Sequence, residues 1–285
     1  MSIRAALGQV AARLVRSRLV VATAGILLAI AALAVVGPLL SPHSYLEADF
    51  DRRLLAPTLA DLHLFGTDDL GRDLFVRCLL GVQVTLVVAI VASVVSLVIG
   101  VVYGAIAGYA GGRVDSAMMR LVDTLYALPF IFFVILLMVY FERNFLLIFV
   151  AIGAINWLDM ARIVRGQTMS LKEREFVEAA RLTGVSPGRI LFRHITPNLM
   201  GVVVVYVTLT VPQAMLVESF LSFLGLGIQE PQTSLGSLVN NGVRQMEQAP
   251  WVLLIPASLL ALILASFNFL GDGLRDVLDP RSRER

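Results

Sequence analysis

The sequence predicts an all-α integral membrane protein with six transmembrane helices. Three observations lead there. Apolar residues make up 58% of the 285 positions and charged residues 15%, too little polar surface to coat a soluble domain of this length. Six apolar stretches meet the requirement of about 20 residues at ~1.5 Å rise per residue, the shortest only by running on. Arg and Lys also gather on alternate loops, which orients the chain.

The six stretches are Leu19–Leu40, Val82–Ile106, Leu121–Tyr140, Phe145–Leu158, Leu199–Leu221 and Trp251–Leu270. The first, second and sixth are uncharged, the third opens with Asp123, and the fourth reaches spanning length by continuing towards Ile163. The first exceeds the ~7–15 residues of a signal-peptide core and has no marked cleavage site, so it reads as a retained anchor. With the N-terminus inside, that side holds Arg4, Arg13, Arg16, Arg18, Arg113, Arg120, the basic residues from Arg162 to Arg193, and Arg275, Arg281, Arg283 and Arg285. The other side keeps Arg52, Arg53, Arg72, Arg77, Arg143 and Arg244. Both termini are therefore expected inside.

The domain plan is a cytoplasmic segment 1–18, a first helix 19–40, an outer loop 41–81, a core 82–271 containing a cytoplasmic loop 160–198, and a tail 272–285. The outer loop is acidic and carries FGTDDLGRDLF. It reads equally as a small ordered cap or a solvated loop with Asp-Gly turns.

Composition excludes several functions. A net charge of +2 is too small for a nucleic-acid partner. One cysteine, Cys78, forbids an internal disulfide, and three histidines far apart in sequence argue against a metal site. The lone lysine, Lys172, follows Leu171, so the Gly-Lys-Ser/Thr of a phosphate-binding loop is absent. Any ATP and Mg would be bound by another protein, and no cofactor is expected in this chain.

The cytoplasmic loop carries EFVEAARLTGVSPGRILFRHITPNLM. Ser170 and Glu173 fit a capping box, Gly184 a left-handed stop, and Ser186-Pro187 the start of a second helix entering the fifth span. Phe176, Ala179, Ala180 and Thr183 fall on one stripe, with Phe176 as an anchor beside two small residues. Glu178 can pair with Arg174 or Arg181 on the helix. Two alanines give little membrane affinity, so a protein-docking helix is favoured over one lying on lipid headgroups.

Glu178-Ala179-Ala180, three residues, Gly184 and later Pro197 resemble the EAA loop of binding-protein-dependent ABC importer permeases. Where that motif has Ile and Leu before its proline, this chain has His194 and Thr196. FGTDDLGRDLF, AGYAGGRVDSAMMRLVD, RIVRGQTMSLKEREFVEAA, SFLSFLGLGIQEP and FNFLGDGLRDVLDPRSR are similar to the peptide-permease C-type subunits (OppC/DppC). PFIFFVILL and LLIFVAIGAINWLDMARIVRGQT look more like the oligopeptide branch than the dipeptide or nickel branches.

The resemblance implies a type I ABC importer permease fold in a bacterial plasma membrane. It implies a second permease subunit (OppB-like), two ATPases (OppD/OppF-like) and an extracytoplasmic peptide-binding protein (OppA-like). On that analogy Phe176, Glu178, Ala179, Ala180, Arg181 and Gly184 form the ATPase-coupling segment, and the chain itself is not an enzyme.

Within the membrane, Gly100, Gly104 and Gly108 form a close-packing seam, inside the chain or against a second subunit. Pro129, Pro212 and Pro256 interrupt spans three, five and six. Glu218 is the one acid deep in the fifth span, where an ionised group costs about 2.5–3.5 kcal/mol, so it should face protein or a cavity. It reads either as a pathway or gate residue with Gln213, or as a brace for the turn into SFLSFLGLG. Asp159 is expected to pair with Arg162.

Two other classes fit less well. A secondary transporter would show broken helices or charges near the midplane of both halves, and a hydrolase would need a nucleophile beside a base.

Overall fold

The computed structural model describes residues 17–140 and 145–278. The segment 1–16, Arg143, and the tail from 279, with Arg281, Arg283 and Arg285, lie outside the described residues.

Helix α1 spans Arg18–Leu40 and presents Leu28, Val35 and Leu39 outward. The outer loop follows, with a short 3₁₀ turn at Phe50–Arg52. Helix α2 spans Leu74–Ala110, starting eight residues before the apolar run that predicted it. The reason is a cap: Asp73 Oδ1 accepts from the Val76 amide at 2.8 Å. Its 37 residues make a rod of roughly 55 Å, longer than the ~30 Å hydrocarbon layer.

The predicted third span is two helices, α3 (Gly112–Ala127) and α4 (Phe130–Tyr140). Leu128 between them is extended (φ −77°, ψ 130°), the conformation that the following Pro129 imposes. Helix α5 runs Phe145–Lys172, α6 is Glu175–Leu182, and α7 is Pro187–Arg189. A π-helical stretch, Ile190–Ile195, joins α7 to α8 (Thr196–Phe223). Helix α9 is Leu235–Arg244 and α10 is Pro250–Leu278.

Among the described residues, four helical stretches are long and apolar enough to cross a membrane: Arg18–Leu40, Leu74–Ala110, Pro187–Phe223 and Pro250–Val277. The π stretch has a local cause. Pro197 lacks an amide and its ring would clash with the carbonyl four residues back, so the backbone widens by one residue and the Thr196 amide bonds Leu191 O. The helix continues instead of breaking.

The most extensive internal contact is α2 against α5. It is the glycine seam. A Cβ on Gly100 would sit 2.5 Å from Met160 Cβ, one on Gly104 would fall on the Ala161 carbonyl oxygen, and one on Gly108 would lie 2.6 Å from the Arg165 carbonyl. The seam therefore closes inside this chain.

Two cores flank it. Val82, Val88, Ala214, Met215, Leu221, Leu235 and Ile263 pack α2, α8, α9 and α10 together. Val101, Ala105, Met160, Val164, Ile190, Ile195, Leu199 and Val203 form the second, and α6 joins it through Val177 and Ala180.

Candidate functional site: a docking helix and a buried acid

Helix α6 is only eight residues long, so tertiary contacts must hold it. Val177 is fully buried and Ala180 nearly so, both in the core formed with Ile190 and Ile195. The stripe predicted from spacing is thus divided: Ala180 points inward, while Phe176, Ala179 and Thr183 remain exposed with Leu182. A small hydrophobic ridge faces away from the body.

The end of α6 is fixed by a left-handed turn. Gly184 has φ +76°, the Val185 amide bonds Ala180 O at 3.1 Å, and the Gly184 amide bonds Arg181 O at 3.0 Å. This is the predicted stop. The start differs from expectation. Helix α5 runs through Lys172, so Ser170 lies in its last turn and no capping box forms there. Arg174 is the N-cap instead, extended and without a side-chain bond to the helix. Ser186 and Pro187 do open the next helix as predicted, again with no hydroxyl cap.

Glu178 makes no ion pair within 4.0 Å with Arg174 or Arg181. It borders a cleft with Lys172, Glu173 and Arg181 where α6 meets the end of α2. Tyr109 links the two elements. Its carbonyl accepts from Lys172 Nζ at 2.7 Å, and the Arg181 guanidinium lies 5.9 Å from its ring centre. The same end of the molecule is braced by Arg165, which donates to both Asp115 oxygens at 2.5 and 2.6 Å.

The expected Asp159–Arg162 pair is not formed. Arg162 reaches across to Asp123 on α3 at 2.6 Å and lies 4.2 Å from the Tyr126 ring centre, while Tyr126 donates its hydroxyl to Asp159. Neighbouring helices supply better-placed partners than the same helix.

Glu218 is wholly buried. Ser222 Oγ donates to it at 2.7 Å, and Thr85 Oγ1 lies at 3.4 Å and Ser219 Oγ at 3.5 Å. Thr85 also accepts from the Leu235 amide at 3.1 Å, and Ser222 meets Ser234 at 3.2 Å. The acid thus joins α2, α8 and the start of α9. Gln213 is not brought to it. It sits on another face, exposed in a stripe with Leu216, Phe220 and Phe223.

The outer loop is tied down by charge. Arg72 donates to Glu230 at 2.9 and 3.0 Å and to Asp68 at 2.8 Å, and Arg77 lies beside both acids. His43 and His63, distant in sequence, stack at 4.1 Å, and His63 Nδ1 lies 2.8 Å from Asp73 Oδ2. Their ligand atoms and that of Asp73 lie within 4.8 Å of one another. An ion bound in the plane of one stacked ring lies outside the plane of the other, so the group is read as a clamp on the loop.

These features define a class: a helical membrane protein with a short helix riveted to the spans on one side and bearing an exposed hydrophobic ridge on the other. A family model for the binding-protein-dependent transport system inner membrane component matches residues 100–284, and one for the N-terminal TM domain of oligopeptide transport permease C matches residues 6–57.

Curated relatives agree. The oligopeptide transport system permease protein OppC of Escherichia coli (strain K12) is 55% identical over 271 residues, covering 95% of this chain and 90% of that protein. OppC of Haemophilus influenzae is 51% identical over 95% of this chain and 87% of that protein. The dipeptide transport system permease protein DppC of Bacillus subtilis is 46% identical over 95% of this chain and 84% of that protein. The chain belongs to the family of binding-protein-dependent transport system inner membrane components. It is a non-catalytic transport subunit.

Proposed function

We propose that this chain is the C-type permease subunit of an ATP-driven importer of oligopeptides. It crosses the membrane six times, with α3–α4 and α5 supplying the third and fourth spans and both termini in the cytoplasm. A second permease subunit completes the pathway, two ATPases bind ATP and Mg, and an extracytoplasmic binding protein delivers peptide.

The observation that carries the reading is the two-sided construction of α6. Val177 and Ala180 anchor it to the spans, while Phe176, Ala179 and Leu182 form a ridge free to enter an ATPase cleft. Glu178 and Arg181 flank that ridge as polar contacts, and Gly184 turns the chain back towards α7. In the outer half, Gln213 and its exposed stripe line the pathway, and Glu218 braces the gate region by tying α8 to α2 and α9.

The substrate class follows the most similar relatives cited, two of which are oligopeptide permease proteins. The test is reconstitution with the partner subunits and binding protein in liposomes. Peptide-loaded binding protein should stimulate ATP hydrolysis and uptake of oligopeptides. Uptake driven by a proton gradient without ATP would overturn the reading, and response to dipeptides alone would move the chain to the dipeptide branch.

A further inference from the structure

The inner face of α9 is apolar: Leu235, Gly236, Leu238 and Gly242 are buried. Its other face places Ser237, Asn240, Asn241 and Arg244 at i, i+3, i+4 and i+7, a single polar stripe. The stripe borders a cleft of about 260 Å³ between α9 and the turn that follows α8.

Arg77 forms part of the same cleft and is 1% exposed. Its Nη2 lies 3.3 Å from Glu230 Oε1 and its Nε faces Asp68 Oδ2 at 3.4 Å, but its Nη1 has no partner. A buried guanidinium donor left unbonded is costly and calls for an acceptor. Nearby charges almost cancel, since Arg72 and Arg77 face Asp68 and Glu230. Arg244 has no ion pair within 4.0 Å among the described residues, so the cleft carries one positive charge in excess.

We infer that this cleft is a carboxylate-binding site on the extracytoplasmic face. Arg244 is the charged clamp, Asn240, Asn241 and Ser237 are amide and hydroxyl partners, and Arg77 supplies one buried donor, Nη1. A guanidinium meets both oxygens of a carboxylate in one plane, which an ammonium cannot do. The asparagines both donate and accept, which suits the peptide group next to such a carboxylate. The volume lies below the ~300–1,000 Å³ of cavities that enclose a drug-sized ligand, so the cleft takes a terminal residue or one acidic side chain. Two sources present that chemistry: the C-terminus of the transported peptide, or an acidic side chain of the binding protein. The placement rests on the proposed importer reading, which sets this face outside.

Two measurements on the assembled complex decide it. The first needs no transport: titration of the purified complex with N-acetyl-dialanine as the free acid and as its amide, followed by NMR saturation transfer. The acid should bind about tenfold more tightly than the amide, and Arg244→Ala should bring the acid down to the amide's level. Equal binding of acid and amide, or no effect of Arg244→Ala, overturns the site.

The second measurement assigns the source. In liposomes, Arg244→Ala and the double variant Asn240→Ala/Asn241→Ala are compared with the wild type. If the peptide is the source, the variants slow uptake of free-acid peptides and leave amidated ones unchanged. If the binding protein is the source, the concentration of loaded binding protein for half-maximal stimulation rises about tenfold with either peptide. Failure of the wild type to respond to any loaded binding protein counts against the importer reading, and the titration still decides the site.

Discussion

Arg72 holds Glu230 through two hydrogen bonds of 3.0 and 2.9 Å across 158 residues of sequence. The pair joins the outer loop ahead of α2 to the turn between α8 and α9. Arg72 keeps the Glu230 carboxyl below its ordinary range. A carboxyl lowered in the folded state contributes stability above its unfolded value, near 4.3, and loses it as pH falls through the lower folded value. The clasp should therefore hold through neutral and mildly acid pH and release only below the ordinary glutamate value. Hydrogen exchange of residues 41–73 should rise there, and Glu230→Gln should show the same rise at pH 7.

The glycine seam predicts a sharp contrast. Gly104→Leu drives a side chain into the Ala161 carbonyl and should destabilise the chain by about 3 kcal/mol or prevent its folding. Gly201→Leu meets open space and should be tolerated. Thermal unfolding of the two variants in detergent is the comparison, and equal midpoints would contradict the packing.

At the docking helix, Gly184→Pro cannot adopt φ +76°, because proline is fixed near −65°. Transport should be lost while membrane insertion persists. Phe176→Ala removes ridge surface without touching the core and should weaken ATPase retention by about tenfold. Co-purification at graded detergent concentration measures it, and full retention would place the contact elsewhere.

Glu218 separates bracing from chemistry. Glu218→Gln keeps an acceptor for Ser222 and should leave uptake near normal. Glu218→Leu leaves buried hydroxyls unpaired and should cost about 1–3 kcal/mol. Normal stability of the leucine variant, with uptake abolished in both, would make the charge itself the working part.

Local chemistry was readable where one residue decides the backbone. Gly184 and Pro187 mark the end of α6 and the start of α7 because positive φ and a missing amide admit few alternatives. Ser170 misled because a capping motif works only on free amides, and α5 continued past it. The Asp159–Arg162 pairing failed for a related reason: spacing along one helix says nothing of the acid and tyrosine that α3 brings alongside. The small-residue seam was plain from its period, but its partner, α5, emerges only from the packing. The His43–His63 stack and the Arg72–Glu230 clasp had no signal at all, since long-range folding alone joins them.

The widened turns at Ile190–Ile195 have a mechanical consequence. Because Pro197 is absorbed without a break, and Pro212 lies inside the helix rather than interrupting it as expected, Pro187 to Phe223 is one stretch of 37 residues, roughly 55 Å end to end. A tilt imposed beside α6 must swing the far tip near Glu218 the opposite way about whatever fulcrum the bundle provides. Displacement at one end of the stretch is thereby carried to the other.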